Sequence, residues 1–272
     1  QILSRLSVHG CRRSYRLGHL CARGVYRALL RKEAGRFFST PIYLFNTGFG
    51  LLLILGAGIA ALYFRLRLAA LTELLEAAGV TPMPVMAAAL AFLVATVAIT
   101  ASSISLEGKN LWILQAAPVT PGQIFAVKIL FQLLLVLPCI TVCAVCLTIA
   151  LGMALWEGAL LLACTGAFAC FCAPFGLAAN LLVPRLDAPN DTVVVKQSAA
   201  SLLGTFGPIL VTGGGVGVYL LLATVLGGAG ALAVCTLLLF AAAGALWILM
   251  ERGGRRRVPT PSRCCGSDGG TR

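Results

Sequence analysis

The sequence predicts an all-α integral membrane protein: six transmembrane helices, an N-terminal interfacial amphipathic helix, and a short cytoplasmic helix between spans two and three. Apolar residues make up 59% of the chain and charged residues 11%, with a mean hydropathy of +0.95, which is far from soluble norms. Several apolar runs reach the roughly 20 residues that cross a bilayer. Basic residues cluster outside these runs, so the net charge of +12 is interpreted as the signal that orients the chain in the membrane. A nucleic-acid partner is not expected.

Residues 1–40 form a basic segment that contains nine Lys or Arg residues. From His19 onward a helix is predicted, with apolar and basic side chains on neighbouring sides. The apolar side contains Ala22, Tyr26, Leu29, Leu30 and Phe37, and the basic side contains Arg16, Arg23, Arg27 and Arg31. Glu33 falls inside the apolar arc, so the amphipathicity is imperfect. The segment is either an interfacial helix on the cytoplasmic leaflet or a basic flank that only fixes orientation.

The transmembrane domain is predicted to cover residues 41–250. Its six spans are expected at about 43–64, 85–103, 124–150, 158–183, 199–225 and 230–250. A mixed-charge loop follows the first span, and a basic, disordered cytoplasmic tail is expected over 251–272. The fifth span contains Pro208 and the glycines 213–215 and 217, which indicate either a hinge or close helix packing.

The distribution of Lys and Arg predicts the orientation. Six spans put both termini on one side, and nineteen of the twenty-one basic residues then share that side with the 103–128 and 184–197 segments. Arg65 and Arg67 alone lie on the other side. By the positive-inside rule, both termini and the segment between spans two and three are cytoplasmic.

That segment, residues 102–123, is the most informative stretch of the chain. Ser105 is a candidate N-cap, Glu107 lies in the favourable first turn, and Pro118 and Pro121 end the helix. About three turns of helix are therefore expected between two spans. Its apolar residues indicate either a docking surface or a loop whose Trp112 is anchored among the lipid headgroups.

Residues that could carry catalysis are missing from the spans. No Asp, Glu or His lies in the middle of a span, and no HExxH, Ser–His pair or P-loop motif occurs, so no catalytic, metal or cofactor site is expected. Lys128, near the cytoplasmic end of the third span, is interpreted as a snorkelling anchor. Asn46, Gln132 and Asn180 are candidate pathway residues, although hydrogen bonding between helices is their simpler role.

Three segments carry a family resemblance: EAGRFFSTPIYLFNTGFG (33–50), SISLEGKNLWILQAAPV (103–119) and PRLDAPNDTVVVKQS (184–198). Together they resemble bacterial ABC exporter permeases of the type-2 class, and EGKNLWIL is the most specific piece. The resemblance covers about residues 27–250, and the end of the chain after Glu251 departs from it. It implies that the chain, which begins with Gln1, is one six-span half of a longer permease, the C-terminal half being expected.

The resemblance also implies a mechanism and partners. The chain would be a permease subunit in the bacterial plasma membrane, forming the substrate pathway together with a second permease half or copy. It would have no ATPase site, because ATP and Mg²⁺ would be bound by a separate ABC ATPase. The 105–117 helix would couple to that ATPase through Glu107, Gly108, Lys109, Asn110, Leu111, Trp112 and Leu114. The alternative function is a non-transporting membrane scaffold or assembly protein, while an ion-coupled carrier is disfavoured by the lack of buried carboxylates and of a clear inverted repeat.

Overall fold

The computed structural model describes residues 24–110, 116–184, 194–195 and 198–257, without the side chains of 109–110 and 254–257. Every regular element in that part of the chain is a helix, which confirms the all-α class. The helices are α1 Val25–Ser39, α2 Pro41–Tyr63, α3 Arg65–Ala77, α4 Pro82–Ala95, α5 Thr100–Ser103, α6 Pro121–Leu151, α7 Leu155–Leu182 and α8 Ala199–Arg257. A 3-10 segment, Ser105–Asn110, follows α5.

Five helical stretches are long and apolar enough to cross a membrane, which confirms a multi-pass arrangement by length and composition. They are Pro41–Tyr63, Pro82–Gly108, Pro121–Leu151, Leu155–Leu182 and Ala199–Gly253. Proline in the first turn starts α2, α4 and α6, where its missing N–H has no intrahelical partner to lose. At α6 the Thr120 hydroxyl accepts from the Gln123 amide, and the Gln123 side chain accepts from the Thr120 amide.

The long α8 folds back on itself at Gly227. Gly227 has φ 74° and ψ 167°, a conformation that in practice only glycine adopts. The two ends of α8 meet the same part of α7: Gly204 lies against Gly176, and Met250 belongs to the same small buried cluster as Leu177. A straight helix would separate Gly204 from Met250 by about 70 Å, so α8 is a hairpin of two limbs. The ranges predicted for the fifth and sixth spans, about 199–225 and 230–250, lie along these limbs, and Gly227 falls in the gap predicted between them. The hinge that Pro208 and the glycines 213–217 could have indicated is not where the chain turns back.

The predicted loop after the first span is wrong, because residues 65–77 form helix α3. The sequence RLRLAALTELLEA is rich in Leu, Ala, Glu and Arg, which are strong helix formers, so its charges are compatible with an exposed helix. None of its residues is buried, and Leu66 remains 79% exposed. Charge composition alone therefore did not distinguish an exposed helix from a loop.

The core is formed by α2, α4, α6, α7 and α8, and α1 packs against it through the buried Phe37 and the partly buried Leu30 and Ala34. Phe37 of α1 is buried and makes edge-to-face contacts with Tyr43 and Phe131, at ring-centroid distances of 5.2 and 5.5 Å. Such aromatic pairs add about 0.5–1.5 kcal/mol beyond the area they bury. Helix α1 is thus packed against α2 and α6 rather than only following the bundle surface.

Candidate functional site

The second apolar helix is interrupted between Ala95 and Thr100, in the interior of the bundle. The Thr96 hydroxyl donates to the Leu93 carbonyl at 2.6 Å, and the Thr96 and Val97 amides bond three residues back instead of four. This tightening, together with the competing threonine side chain, ends the α-helical pattern. The chain restarts at α5, and the backbone groups freed by the interruption need partners in a region without water.

Three side chains from three other helices supply those partners. Tyr43 of α2 donates to the Ile99 carbonyl at 2.8 Å. Gln132 of α6 accepts from the Thr100 amide at 2.9 Å and from the Thr100 hydroxyl at 3.0 Å. Asn180 of α7 accepts from the Ser105 amide at 3.2 Å and from the Ser105 hydroxyl at 2.7 Å, and it donates to the Ala101 carbonyl. Side chains of α2, α6 and α7 therefore hydrogen-bond the backbone from Ile99 to Ser105, which stabilises the interruption.

A glycine allows α7 to pack closely against the restarted helix. A Cβ atom at Gly176 would lie 2.6 Å from the Thr100 hydroxyl oxygen and 3.2 Å from the Ala101 amide nitrogen. Backbone cannot move aside as a flexible side-chain end can, so any larger residue would push α5 away from α7. This close approach lets Asn180, one turn further along α7, reach the Ala101 and Ser105 backbone.

A cluster of five charged residues lies at the end of this broken helix. We call it the charge cluster, and its members are Lys32, Glu33, Arg36, Glu107 and Lys128. Both carboxylates are buried, and the Lys128 side chain is only 1% exposed. The cluster reaches the surface through Lys32 and Arg36, whose side chains are 37% and 21% exposed. It carries three cations and two anions.

Glu107 is the centre of the charge cluster because it contacts all three cations. One carboxylate oxygen lies 2.7 Å from Lys32 Nζ and 3.3 Å from Lys128 Nζ, and the other lies 2.7 Å from Arg36 Nη1. The Arg36 contact is an ion pair at close range without an aligned N–H···O hydrogen bond. Glu107 thus joins α1, which carries Lys32 and Arg36, to α6, which carries Lys128.

Lys128 has a partner for each of its three ammonium protons. Its Nζ donates to Glu33 at 2.8 Å, to the Ser103 carbonyl at 3.1 Å and to Glu107 at 3.3 Å. The predicted snorkelling role of Lys128 is wrong, since its ammonium group points into the protein. A buried ion pair offsets its cost of desolvation only when the two charges are close and the remaining donors have acceptors. The Lys128 ammonium group meets both conditions.

The sequence-predicted coupling residues fall only partly within the described residues. The Glu107 side chain is 1% exposed and points into the interior of the protein, and Gly108 has φ 50°. Lys109 and Asn110 complete the 3-10 segment, and their side chains are not described. Leu111, Trp112 and Leu114 lie outside the described residues. The hydroxyl of Ser105, the predicted N-cap, donates to Asn180 of a neighbouring helix.

The three candidate pathway residues have different environments. Gln132 and Asn180 are buried and hydrogen-bonded between helices, which is the simpler of the two roles considered for them. Asn46 is exposed on α2. The structure therefore joins Gln132 and Asn180 around one interruption and leaves Asn46 apart from them.

Sequence reasoning missed most of the charge cluster, although two signals for it were present. Glu33 interrupts the apolar face of a basic helix, and Lys128 lies two turns inside a span. Each of these departures from a regular pattern is costly alone, and a buried charge needs an opposite charge nearby. Pairing the two anomalies would have predicted contact between α1 and α6. Lys32 and Arg36 carried no such signal among the many basic residues of the N-terminal segment.

The chain matches no protein-family model, no curated protein and no solved structure. Within the described ranges, no three His, Cys, Asp or Glu side chains are grouped so that they could hold a metal ion. The charge cluster and the interrupted helix are the features from which a function can be argued.

Proposed function

We propose that the chain is a permease subunit of an ATP-driven exporter of the type-2 class, in a bacterial plasma membrane, moved by a separate ABC ATPase. The chain would cross the membrane six times, with each limb of α8 counted as one crossing. Both termini and the charge cluster would then be cytoplasmic, because this orientation puts nineteen of the twenty-one basic residues inside. A second permease half or copy would complete the transport pathway.

The observation that carries the proposal is the position of Glu107. It lies two residues before Lys109, at the start of the segment proposed to contact the ATPase, and it is ion-paired to α1 and α6. A displacement of residues 109–117 would pull on Glu107 and therefore on both helices together. Since packed helices move as rigid elements, such a pull would tilt α6 together with α1 and open a path outward. The role of Glu107 is then to transmit motion, and contact with the ATPase falls to residues 109–114.

The proposal is tested by co-expressing the chain with an ABC ATPase encoded beside it and purifying the complex through a tag on the permease. Trp112→Ala should reduce the amount of ATPase recovered, because a large apolar side chain at a contact commonly dominates binding. Trp156→Ala is the matched control: Trp156 is 58% exposed and lies at the start of α7, beyond the far end of α6. Recovery of the ATPase should be unchanged by this control.

Two outcomes would contradict the proposal. Undiminished recovery of the ATPase with Trp112→Ala would exclude the contact, and a folded, membrane-inserted chain that recovers no ATPase would favour the scaffold function. A further variant, Glu107→Gln, separates binding from transmission. It should leave recovery of the ATPase intact while lowering the stimulation of ATP hydrolysis by the permease, because the ion pairs to α1 and α6 are weakened.

A further inference from the structure

A large apolar cavity lies at the other end of the second apolar helix, away from the charge cluster. Its volume is about 710 Å³, and it is lined by the start of α4, part of α7 and both limbs of α8. We call it the lateral cavity. On α8 its lining runs from Val211 to Leu220 on the first limb and from Leu232 to Ala242 on the second. Its volume is in the range of cavities that hold small organic ligands.

The lateral cavity is open along one side, between the limbs of α8. Leu220 and Leu238 line it and are 60% and 53% exposed, so its rim is continuous with the apolar outer surface. Its depth comes from glycine: Gly214 and Gly215 line it, and a Cβ atom at either position would meet nothing within 4 Å. The glycines of the first limb therefore leave space here rather than allowing close packing.

The chemistry of the lining selects a hydrocarbon ligand. None of the described lining residues carries a charge, and almost all of them are aliphatic or aromatic. Two of the lining residues carry a hydroxyl. The Thr212 hydroxyl donates to the Pro208 carbonyl of its own helix, whereas the Tyr219 hydroxyl, at one end of the cavity, lies 3.3 Å from the Thr81 hydroxyl beside the bend of α8. A ligand with an apolar tail along the cavity and a polar end near these hydroxyls fits this arrangement.

The length of the lateral cavity matches one leaflet. The nine residue steps from Val211 to Leu220 span about 14 Å of helix. The hydrocarbon core of a bilayer is about 30 Å thick, so one leaflet contributes about half of that. The polar end lies where the chain turns between helices, which is where a span meets the membrane surface.

We propose that the lateral cavity binds one acyl chain of a membrane phospholipid, from the leaflet opposite the charge cluster. The bilayer supplies this ligand directly, because the open side faces the surface that apolar helices present to lipid. The inference does not depend on an ATPase partner, since the cavity is formed by this chain alone.

The test uses the purified full chain in phosphatidylcholine vesicles that contain a phosphatidylcholine with a photoactivatable diazirine on one acyl chain. After illumination, mass spectrometry of the digested protein locates the adducts. We expect them to concentrate on residues 211–220 and 232–242. Gly214→Leu, which fills the cavity, should lose most of this labelling, while Gly213→Leu should keep it. Gly213 is the adjacent residue, equally free of neighbours, and does not line the cavity.

Three results would overturn the inference. Labelling spread over all exposed apolar helices would indicate surface lipid only, and labelling of Gly214→Leu equal to that of the unmodified chain would show that the cavity is not its site. Disulfide-linked dimers formed on oxidation of the Leu220→Cys or Leu238→Cys variant but not of the unmodified chain, with little lipid labelling, would assign the face to a second copy. If Gly214→Leu fails to fold, Gly215→Leu fills the same cavity from the next position.

Discussion

Removing the charge of Lys128 should strongly destabilise the protein. Lys128→Met keeps an unbranched apolar chain but leaves Glu33 without its 2.8 Å partner and removes one of three cations from Glu107. Taking one partner from a buried ion pair costs about 3–5 kcal/mol, because the remaining charge stays buried. By contrast, Lys32→Met should cost only about 0–1 kcal/mol, because its side chain is 37% exposed, water screens its charge, and Glu107 keeps Arg36 and Lys128 as partners.

The buried cysteines provide the assay. Once the accessible thiols have been blocked, Cys143 and Cys172, which are buried in the core, should react with a thiol-sensitive fluorophore only when the helices separate on heating. In detergent, Lys128→Met should lower the midpoint of this transition far more than Lys32→Met. The double variant Lys128→Met with Glu33→Leu should recover much of the loss, since replacing both members of a buried pair by apolar residues is often neutral or stabilising.

The reasoning would be refuted by equal midpoints for Lys128→Met and the unmodified chain, which would mean that the buried ammonium group does not contribute to stability. It would also be refuted if the double variant were no more stable than Lys128→Met alone. In that case the loss would come from packing around the lysine stem and not from an unpaired carboxylate.

Three further predictions can be checked on the same protein. Gln132→Leu leaves the amide that begins α5 without its acceptor and should cost about 1–3 kcal/mol, seen as a lower midpoint in the thiol assay; an unchanged midpoint would contradict this. Gly227→Ala should cost about 1–3 kcal/mol because of its backbone conformation, whereas Gly213→Ala, in a regular helical turn with open space, should be neutral or slightly stabilising. In intact cells, a membrane-impermeant maleimide should label Glu73→Cys but reach Ala116→Cys only after lysis; the reverse result would invert the proposed orientation.

The membrane class and the first four apolar helices could be predicted from sequence because they depend on local composition. An apolar run that is long enough must be helical in a bilayer, since no water is present to satisfy its backbone. Prolines and capping residues then fixed where α2, α4 and α6 begin. The bend of α8 at Gly227 likewise falls between the two apolar runs predicted as the fifth and sixth spans, although the sequence did not predict that one helix would continue up to the bend on each side.

The charge cluster and the interruption depend on tertiary structure. Nothing in the local sequence near Thr96 resembles a helix end with proline or glycine, and the interruption is stable because Tyr43, Gln132 and Asn180 arrive from three other helices. Likewise, Glu107 and Lys32 are 75 residues apart along the chain, and only packing makes them neighbours. Composition determined that this chain enters a membrane, because hydrophobic transfer depends on each segment alone. The tertiary structure decided which polar groups are buried inside it. A buried charge or amide is stable only when another segment of the chain supplies its partner.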